Sequence, residues 1–155
     1  MSKLKEKVII VTGGSGLIGK EILKNLRSKE ALVLNSDIYE SGLENITEIK
    51  CDIANDISLK ESVDHVFEQF GRIDVLVNNA YPRTKDWSFA FEDVKPESLR
   101  KNIDWQLNSL FILSQIVLEI MKKQGSGSVV NVSSTYGVVG NDFTVYKGTQ
   151  MRTAL

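Results

Sequence analysis

The sequence predicts an α/β fold built on a doubly wound parallel sheet, and three observations point to it. Strand-like and helix-like segments alternate along the chain, as parallel βαβ units require. A glycine-rich turn joins the first strand to the first helix within VIIVTGGSGLIGKEIL, Val8 to Leu23. The next strand-like run, ALVLNSD, closes on an acidic residue, Asp37, about 20 positions beyond the glycines. Together these imply a Rossmann-type architecture in one domain over residues 1–155.

The first strand is predicted over Lys7–Thr12, where β-branched residues run together. Leu17, Ile18, Ile22, Leu23 and Leu26 then keep a helical period, which gives a helix over Leu17–Ser28. Strands follow at Leu32–Ser36 and Glu48–Cys51, and the link Ile38–Thr47 between them has room for a short helix at most. A helix over Ser58–Phe70 opens on a capping box of Ser58 with Glu61. Its stripe of Leu59, Val63, Val66, Phe67 and Phe70 sets it on a sheet face. A strand at Ile73–Asn78 precedes a long helix over Pro96–Lys123, where Pro96 suits the first helical position because it lacks an amide hydrogen and fixes φ. The last strand is Ser128–Ser133. Trp87, Phe89 and Phe91 fall between strand and helix, either lining a pocket or anchoring a surface loop.

The long helix carries more apolar residues than one sheet face can cover. Leu107, Leu110, Phe111, Ile112, Leu113, Ile116, Val117, Leu118, Ile120 and Met121 occur almost all round it. Either a partner subunit or a neighbouring helix of the same chain buries the surplus. A homo-oligomer through residues 96–123 is the first of these expectations.

Charge and composition narrow the function classes. Lysine and arginine total 19 against 20 aspartates and glutamates, with no basic run or aromatic-interleaved patch, so nucleic acid is not the expected partner. No apolar stretch approaches membrane-spanning length, and MSKLKEK leads into a strand rather than a signal peptide, so a cytoplasmic protein is expected. Cys51, the single cysteine, permits neither an internal disulfide nor a cysteine-based zinc site and is expected to pack as a small apolar residue. His65, the single histidine, lies on a predicted helix in a structural role, and no metal site is expected.

The glycine turn is where chemistry is expected. Gly13, Gly16 and Gly19 let the chain leave the strand sharply, bring backbone close to a pyrophosphate, and pack the helix on the sheet. The N–H groups and positive dipole end of that helix then face the phosphates. Gly13, Ser15, Gly16, Leu17, Ile18 and Gly19 are therefore candidate cofactor-binding residues. Asp37 either binds a ribose hydroxyl pair or serves as a turn or cap residue. In the first role its carboxylate repels a ribose 2′-phosphate, so NAD rather than NADP is the expected cofactor.

TGGSGLIG at Thr12 to Gly19, Asp37, CDI at Cys51 to Ile53, VNNA at Val77 to Ala80, and NVSS at Asn131 to Ser134 together resemble the short-chain dehydrogenase/reductase family. The resemblance implies hydride transfer between a nicotinamide and an alcohol or carbonyl carbon of a small-molecule substrate. It implies that Asp52 and Ile53 flank the adenine ring, and that Asn79 and Ala80 lie beside the adenosine and help order the central strand. It assigns Ser134, with Gly137 three positions on, to orienting the substrate oxygen, and places Gln106 where the family has an asparagine supporting a proton-relay water. Asn108 lies two positions from Gln106, about 200° away on a regular helix.

Several departures stand beside the match. The family's tyrosine and lysine form a YxxxK pair, four apart on one helix face. After Ser134 the chain offers Tyr136 and Tyr146; the fourth residue after Tyr146 is Gln150, and Lys147 is adjacent and points elsewhere. A glutamine cannot lower a neighbouring phenol's pKa as a cation does. The segment from Asn141 is expected to be a substrate-side loop, with the YxxxK helix following it, so that the chain resembles the N-terminal part of a longer enzyme and lacks the C-terminal part of the fold. An extended loop of this kind is similar to relatives acting in bacterial surface-sugar or flagellin modification. The GxxGxxG spacing resembles extended members of the family rather than the TGxxxGxG of others, and Tyr81-Pro82 replaces the usual glycine after NNA. Three functions are thus expected in competition: an NAD-dependent oxidoreductase represented without its YxxxK helix, a dinucleotide-binding module without catalysis, and an inert remnant.

Overall fold

The computed structural model describes residues 3–140 and 142–148. Five parallel strands, β1 (Val8–Thr12), β2 (Leu32–Asp37), β3 (Thr47–Lys50), β4 (Val75–Asn78) and β5 (Ser128–Asn131), form one sheet in the order β3-β2-β1-β4-β5. Every residue of β1 is buried, which is why VIIVT reads as a continuous apolar run and not as an alternation. Helix α1 (Leu17–Ser28) packs through Leu23 on Ile9, Val11 and Val33. On the opposite face α2 (Asp56–Phe70) and α4 (Ser109–Gln124) pack through Leu59, Val63, Val66, Leu113 and Val117 on Val8, Ile10, Leu34 and Leu76. The sheet is therefore doubly wound, as the sequence predicts. No helix among the described residues is long and apolar enough to cross a membrane.

The strand order reverses at β1, whose neighbours are β2 on one side and β4 on the other. Crossovers leave in opposite directions from that point, which opens a crevice at the carboxyl ends of β1 and β4. Gly13 and Asn79, the residues that follow those two strands, stand at its mouth.

Element boundaries differ from expectation for local reasons. The capping box at Ser58 does not form. Helix α2 starts two residues earlier, at Asp56, because the Asn55 side chain accepts from Ile57 N (3.0 Å) and Ser58 N (3.1 Å). The Ser58 hydroxyl instead accepts from Asp52 N at 3.0 Å, tying the end of β3 to the helix. Strand β4 begins at Val75 and not Ile73, since the Asp74 carboxylate takes the Val8 N–H (2.9 Å) beside the start of the ladder. The link after β2 holds no helix among the described residues.

The predicted helix over Pro96–Lys123 is interrupted. Helix α3 (Pro96–Ile103), with Pro96 in its first turn, runs into a π turn at Asp104–Asn108 before α4. A π turn accommodates one extra residue without breaking the axis, and because apolar residues occur almost all round the helix from Leu107 on, spacing alone does not reveal it. Helix α4 buries Ser109, Leu113, Val117 and Met121. Leu107, Phe111 and Leu118 are left 63%, 67% and 50% exposed, which is the surplus the sequence indicates. Cys51 is buried after β3 and His65 is exposed on α2, each in the setting expected.

Candidate dinucleotide site

The glycine turn is shaped by contacts that only glycine allows. Gly13 has φ +65° and lies so close to the end of β4 that a Cβ there would sit 2.7 Å from Ala80 Cα. A Cβ at Gly19 would meet Gly14 Cα at 2.6 Å, so α1 packs hard against the turn it follows. Thr12 locks the two strand ends together: its hydroxyl accepts from Asn79 N and Ala80 N, both at 3.0 Å. The Asn79 amide donates to Thr12 O and Gly13 O, both at 3.0 Å. Asn79 and Ala80 thus order the carboxyl end of the central strands.

Helix α1 opens at Gly16 without a side-chain cap, so its first-turn N–H groups and positive dipole end face outward. Leu17 and Ile18 flank that opening, 89% and 59% exposed. Asp37 closes β2 beside the turn, and each carboxylate oxygen accepts one backbone N–H, from Ser15 (3.0 Å) and from Tyr39 (3.0 Å). Asp37 thus links the glycine turn to the loop after β2, its bond to Tyr39 N being the contact of an Asx turn.

Ile53 is buried and Asp52 exposed after β3, and the Asp52 carboxylate accepts from Ala54 N at 3.0 Å. A cavity of about 370 Å³ adjoins them, lined by Ile53 to Ile57 together with Asp104, Ser109 and Ile112. Gly13 to Gly19, Asp37, Asp52, Ile53, Asn79 and Ala80 thus all lie at the carboxyl edge of the sheet. An open helix N-terminus, a turn where a Cβ would collide and a carboxylate on the adjoining strand fit the phosphates and ribose of a dinucleotide.

The substrate side is built differently. Gln106, in the π turn, donates from Nε2 to Pro82 O at 2.8 Å, while Asn108 turns back to Asp104 Oδ1 at 3.0 Å. Asn102, fully buried, pairs with Thr84 through Thr84 N to Oδ1 (3.0 Å) and Nδ2 to Thr84 Oγ1 (2.8 Å). Trp87 is 8% exposed and donates from Nε1 to the Tyr81 hydroxyl at 2.7 Å, so it anchors the loop. Asp86 accepts from Lys95 N, and that bond, aided by Thr84 and Ser98, pulls its carboxyl down to about 2. Phe89 is 38% exposed, and the side chain of Phe91 lies outside the described residues.

Ser134, three residues past β5, is exposed, with its hydroxyl accepting from Tyr136 N at 3.2 Å. The Tyr136 and Tyr146 hydroxyls lie 3.1 Å apart, and the bond to Tyr146 pushes the Tyr136 phenol up. A raised phenol is a poor base near neutral pH, the opposite of what a YxxxK lysine achieves. Tyr146 lies in a single 3₁₀ turn, Phe143–Tyr146. Asn141 and Gln150, part of the expected substrate-side loop, lie outside the described residues.

One group of residues has no signature in the sequence. Asn35, fully buried on β2, is opposite Glu48 on β3 and donates to Glu48 Oε2 at 2.6 Å and Ser15 Oγ at 3.0 Å. Asn35 opens the polar half of LVLNSD, and nothing in that run says that its amide, costly to bury unless satisfied, is bonded to Glu48.

Comparison with known proteins agrees with this geometry. The short chain dehydrogenase family model matches residues 7–149. The post-translational flagellin modification protein A of Campylobacter coli is 30% identical over 98% of this chain and 64% of its own length. A 3-oxoacyl-acyl-carrier-protein reductase of Thermotoga maritima is 33% identical over 90% of this chain and 60% of its own. Among solved structures, a short chain dehydrogenase from Leptospira borgpetersenii with bound NAD+ superposes with a TM-score of 0.83 at 29% identity, covering 95% of this chain and 59% of that one. The chain thus spans about three fifths of the length of these proteins.

Proposed function

The chain belongs to the short-chain dehydrogenase family, and from that premise we propose that it forms the NAD-binding half of an oxidoreductase acting on an alcohol or carbonyl. The observation that carries this reading is Asp37, fixed by two backbone N–H bonds between the glycine turn and the loop after β2. In that place a carboxylate accepts from a ribose hydroxyl pair and repels a 2′-phosphate, which favours NAD over NADP.

The residues divide the work by position. Gly13, Ser15, Gly16 and Gly19, with the start of α1, hold the pyrophosphate, and Leu17 and Ile18 exclude water beside it. Asp52, Ile53, Asn79 and Ala80 hold the adenosine. Hydride transfer at the nicotinamide is the chemistry the cofactor supplies when bound. Ser134 orients the substrate oxygen. Gln106 holds the Tyr81-Pro82 turn with its amide N–H and offers its carbonyl oxygen to a proton-relay water. In this reading a tyrosine and lysine in the YxxxK arrangement carry the proton transfer, and the fourth residues after Tyr136 and Tyr146 are Gly140 and Gln150, not lysines. The substrate is a small polar molecule, and the flagellin-modification relative supports a sugar-derived one. The protein works in the cytoplasm, and the exposed Leu107, Phe111 and Leu118 support a homo-oligomer of the full-length form through the 96–123 region.

Calorimetric titration with NAD and NADP tests the reading. The protein binds NAD more tightly, and Asp37→Ala weakens NAD while narrowing the gap to NADP. A folded sample giving no heat with either dinucleotide refutes it. NAD binding without turnover on any alcohol or carbonyl, even with the sequence extended to include a YxxxK helix, would leave a dinucleotide-binding module in its place.

A further inference from the structure

Asp37 does not hold its own position. Its two oxygens are satisfied by Ser15 N and Tyr39 N, and both of those residues are in turn held by Asn35. The Asn35 amide nitrogen lies 3.0 Å from Ser15 Oγ and 3.3 Å from Tyr39 O, and the Ser15 hydroxyl donates to that same Tyr39 carbonyl. The chain of contacts begins at Glu48, half-buried on β3, which accepts from Asn35 Nδ2 at 2.6 Å.

The chemistry of Glu48 decides which way Asn35 faces. An ionised carboxylate only accepts hydrogen bonds, so Asn35 must turn its NH₂ toward it. With the NH₂ on that side, one N–H goes to Glu48 and the other is shared between Ser15 Oγ and Tyr39 O. The cost is visible: Asn35 Oδ1 is buried and unpartnered, facing Gly14 so closely that a Cβ on Gly14 would collide with it. A buried carbonyl left without a donor is expensive, and it persists here because the opposite end is held by a charge-assisted bond. The other Glu48 oxygen accepts from Ser41 N at 3.1 Å and from the Ser41 hydroxyl, fastening the loop after β2 from its far side. Lys50, exposed on β3 opposite Asp37, is the one cation beside this group in the strand register, and among the described residues it forms no ion pair with Asp37.

We propose that Glu48 is a positioning residue for dinucleotide selectivity: by orienting Asn35 it holds Ser15 and Tyr39, which fix the Asp37 carboxylate toward the ribose 2′-hydroxyl. The proposal rests on the NAD-binding reading. Loss of Glu48 frees Asn35 to turn over, releases the loop after β2, and lets the Asp37 carboxylate swing away from a 2′-phosphate. Lys50 then faces that phosphate without a fixed opposing charge.

The test is calorimetric binding of NAD and NADP to the protein and to Glu48→Ala, Glu48→Gln, Ser15→Ala, Asp37→Ala and the Glu48→Ala/Asp37→Ala double variant. Glu48→Ala is expected to lower the NAD-over-NADP ratio by about tenfold, the worth of one charge-assisted hydrogen bond. Glu48→Gln keeps an acceptor toward Asn35 and recovers most of the ratio, which a loss of packing alone would not explain. The double variant has the ratio of Asp37→Ala alone, because Glu48 acts through Asp37. Ser15→Ala, at the surface of the turn, moves the ratio in the same direction and decides the matter where Glu48→Ala does not fold. An unchanged ratio in folded Glu48→Ala or Ser15→Ala overturns the proposal, as do additive effects in the double variant. Absence of dinucleotide binding by the unaltered protein overturns the underlying reading instead.

Discussion

Replacing Asp74 tests how the amino end of the sheet is held, opposite the site. Asp74 is 6% exposed and its carboxylate accepts from Val8 N (2.9 Å), Arg72 Nε (2.9 Å), Arg72 Nη2 (2.5 Å) and Lys7 Nζ (3.0 Å). The Lys7 and Arg72 side chains are 41% and 47% exposed, so in Asp74→Ala both return to water and each lost pair costs about 0–1 kcal/mol. The Val8 N–H is left buried without an acceptor, which costs about 1–3 kcal/mol. The sum is about 1–5 kcal/mol near neutral pH, whereas Asp74→Asn keeps one oxygen for Val8 and loses about 1 kcal/mol.

The pH dependence of that loss follows from the direction of the Asp74 shift. Burial alone raises its carboxyl, but the bonds from Arg72, Val8 and Lys7 outweigh burial and hold it below the ordinary carboxylate range. A carboxyl lowered in the folded state contributes stability above its unfolded value, and that contribution disappears as pH falls through the folded value. Urea denaturation at about pH 7 and at about pH 2 reads both effects. The gap between the natural protein and Asp74→Asn narrows on acidification. A gap of the same size at both pH values, or a loss below about 0.5 kcal/mol for Asp74→Ala near neutrality, refutes the reasoning.

Other substitutions probe the site and its supports. Gly19→Ala drives a methyl group into Gly14 Cα and is expected to abolish dinucleotide binding by calorimetry and to lower Tm. Asn55→Ala removes the cap of α2 and costs about 1 kcal/mol in denaturant unfolding, while Glu61→Ala, outside that cap, changes stability by less than about 0.5 kcal/mol. Trp87→Phe removes the donor to Tyr81 and costs about 0.5–1.5 kcal/mol, read as a fall in the urea midpoint. Phe111→Glu places a charge on the exposed apolar face of α4, and sedimentation velocity then shows a smaller species than the natural protein gives at equal concentration.

The glycine turn was legible in the sequence because its requirements are local. A strand feeding a helix through glycines, with an acid at the end of the next strand, is a statement about consecutive residues, and Gly13, Gly19 and Asp37 take the expected places. The π turn at Asp104–Asn108 and the start of α2 at Asp56 were not legible. Apolar residues almost all round the helix hide a one-residue offset, and Asn55 and Ser58 are both competent caps until the fold gives Ser58 another partner. Gln106 stands where the family has an asparagine, but its bond to Pro82 depends on how the loop after β4 folds back onto the π turn.

By itself, then, the sequence determined the doubly wound α/β class, the glycine turn and the place of the Asp37 carboxylate at the end of β2, since each is written in short-range spacing. Only the tertiary structure decided what keeps that carboxylate in place. Glu48 and Asn35 lie 13 residues apart and meet because β2 and β3 pair in parallel register, Asn35 opposite Glu48. The identity of a hydrogen-bond partner across a sheet depends on register, and register is set by the packing of the whole sheet rather than by either strand's own residues.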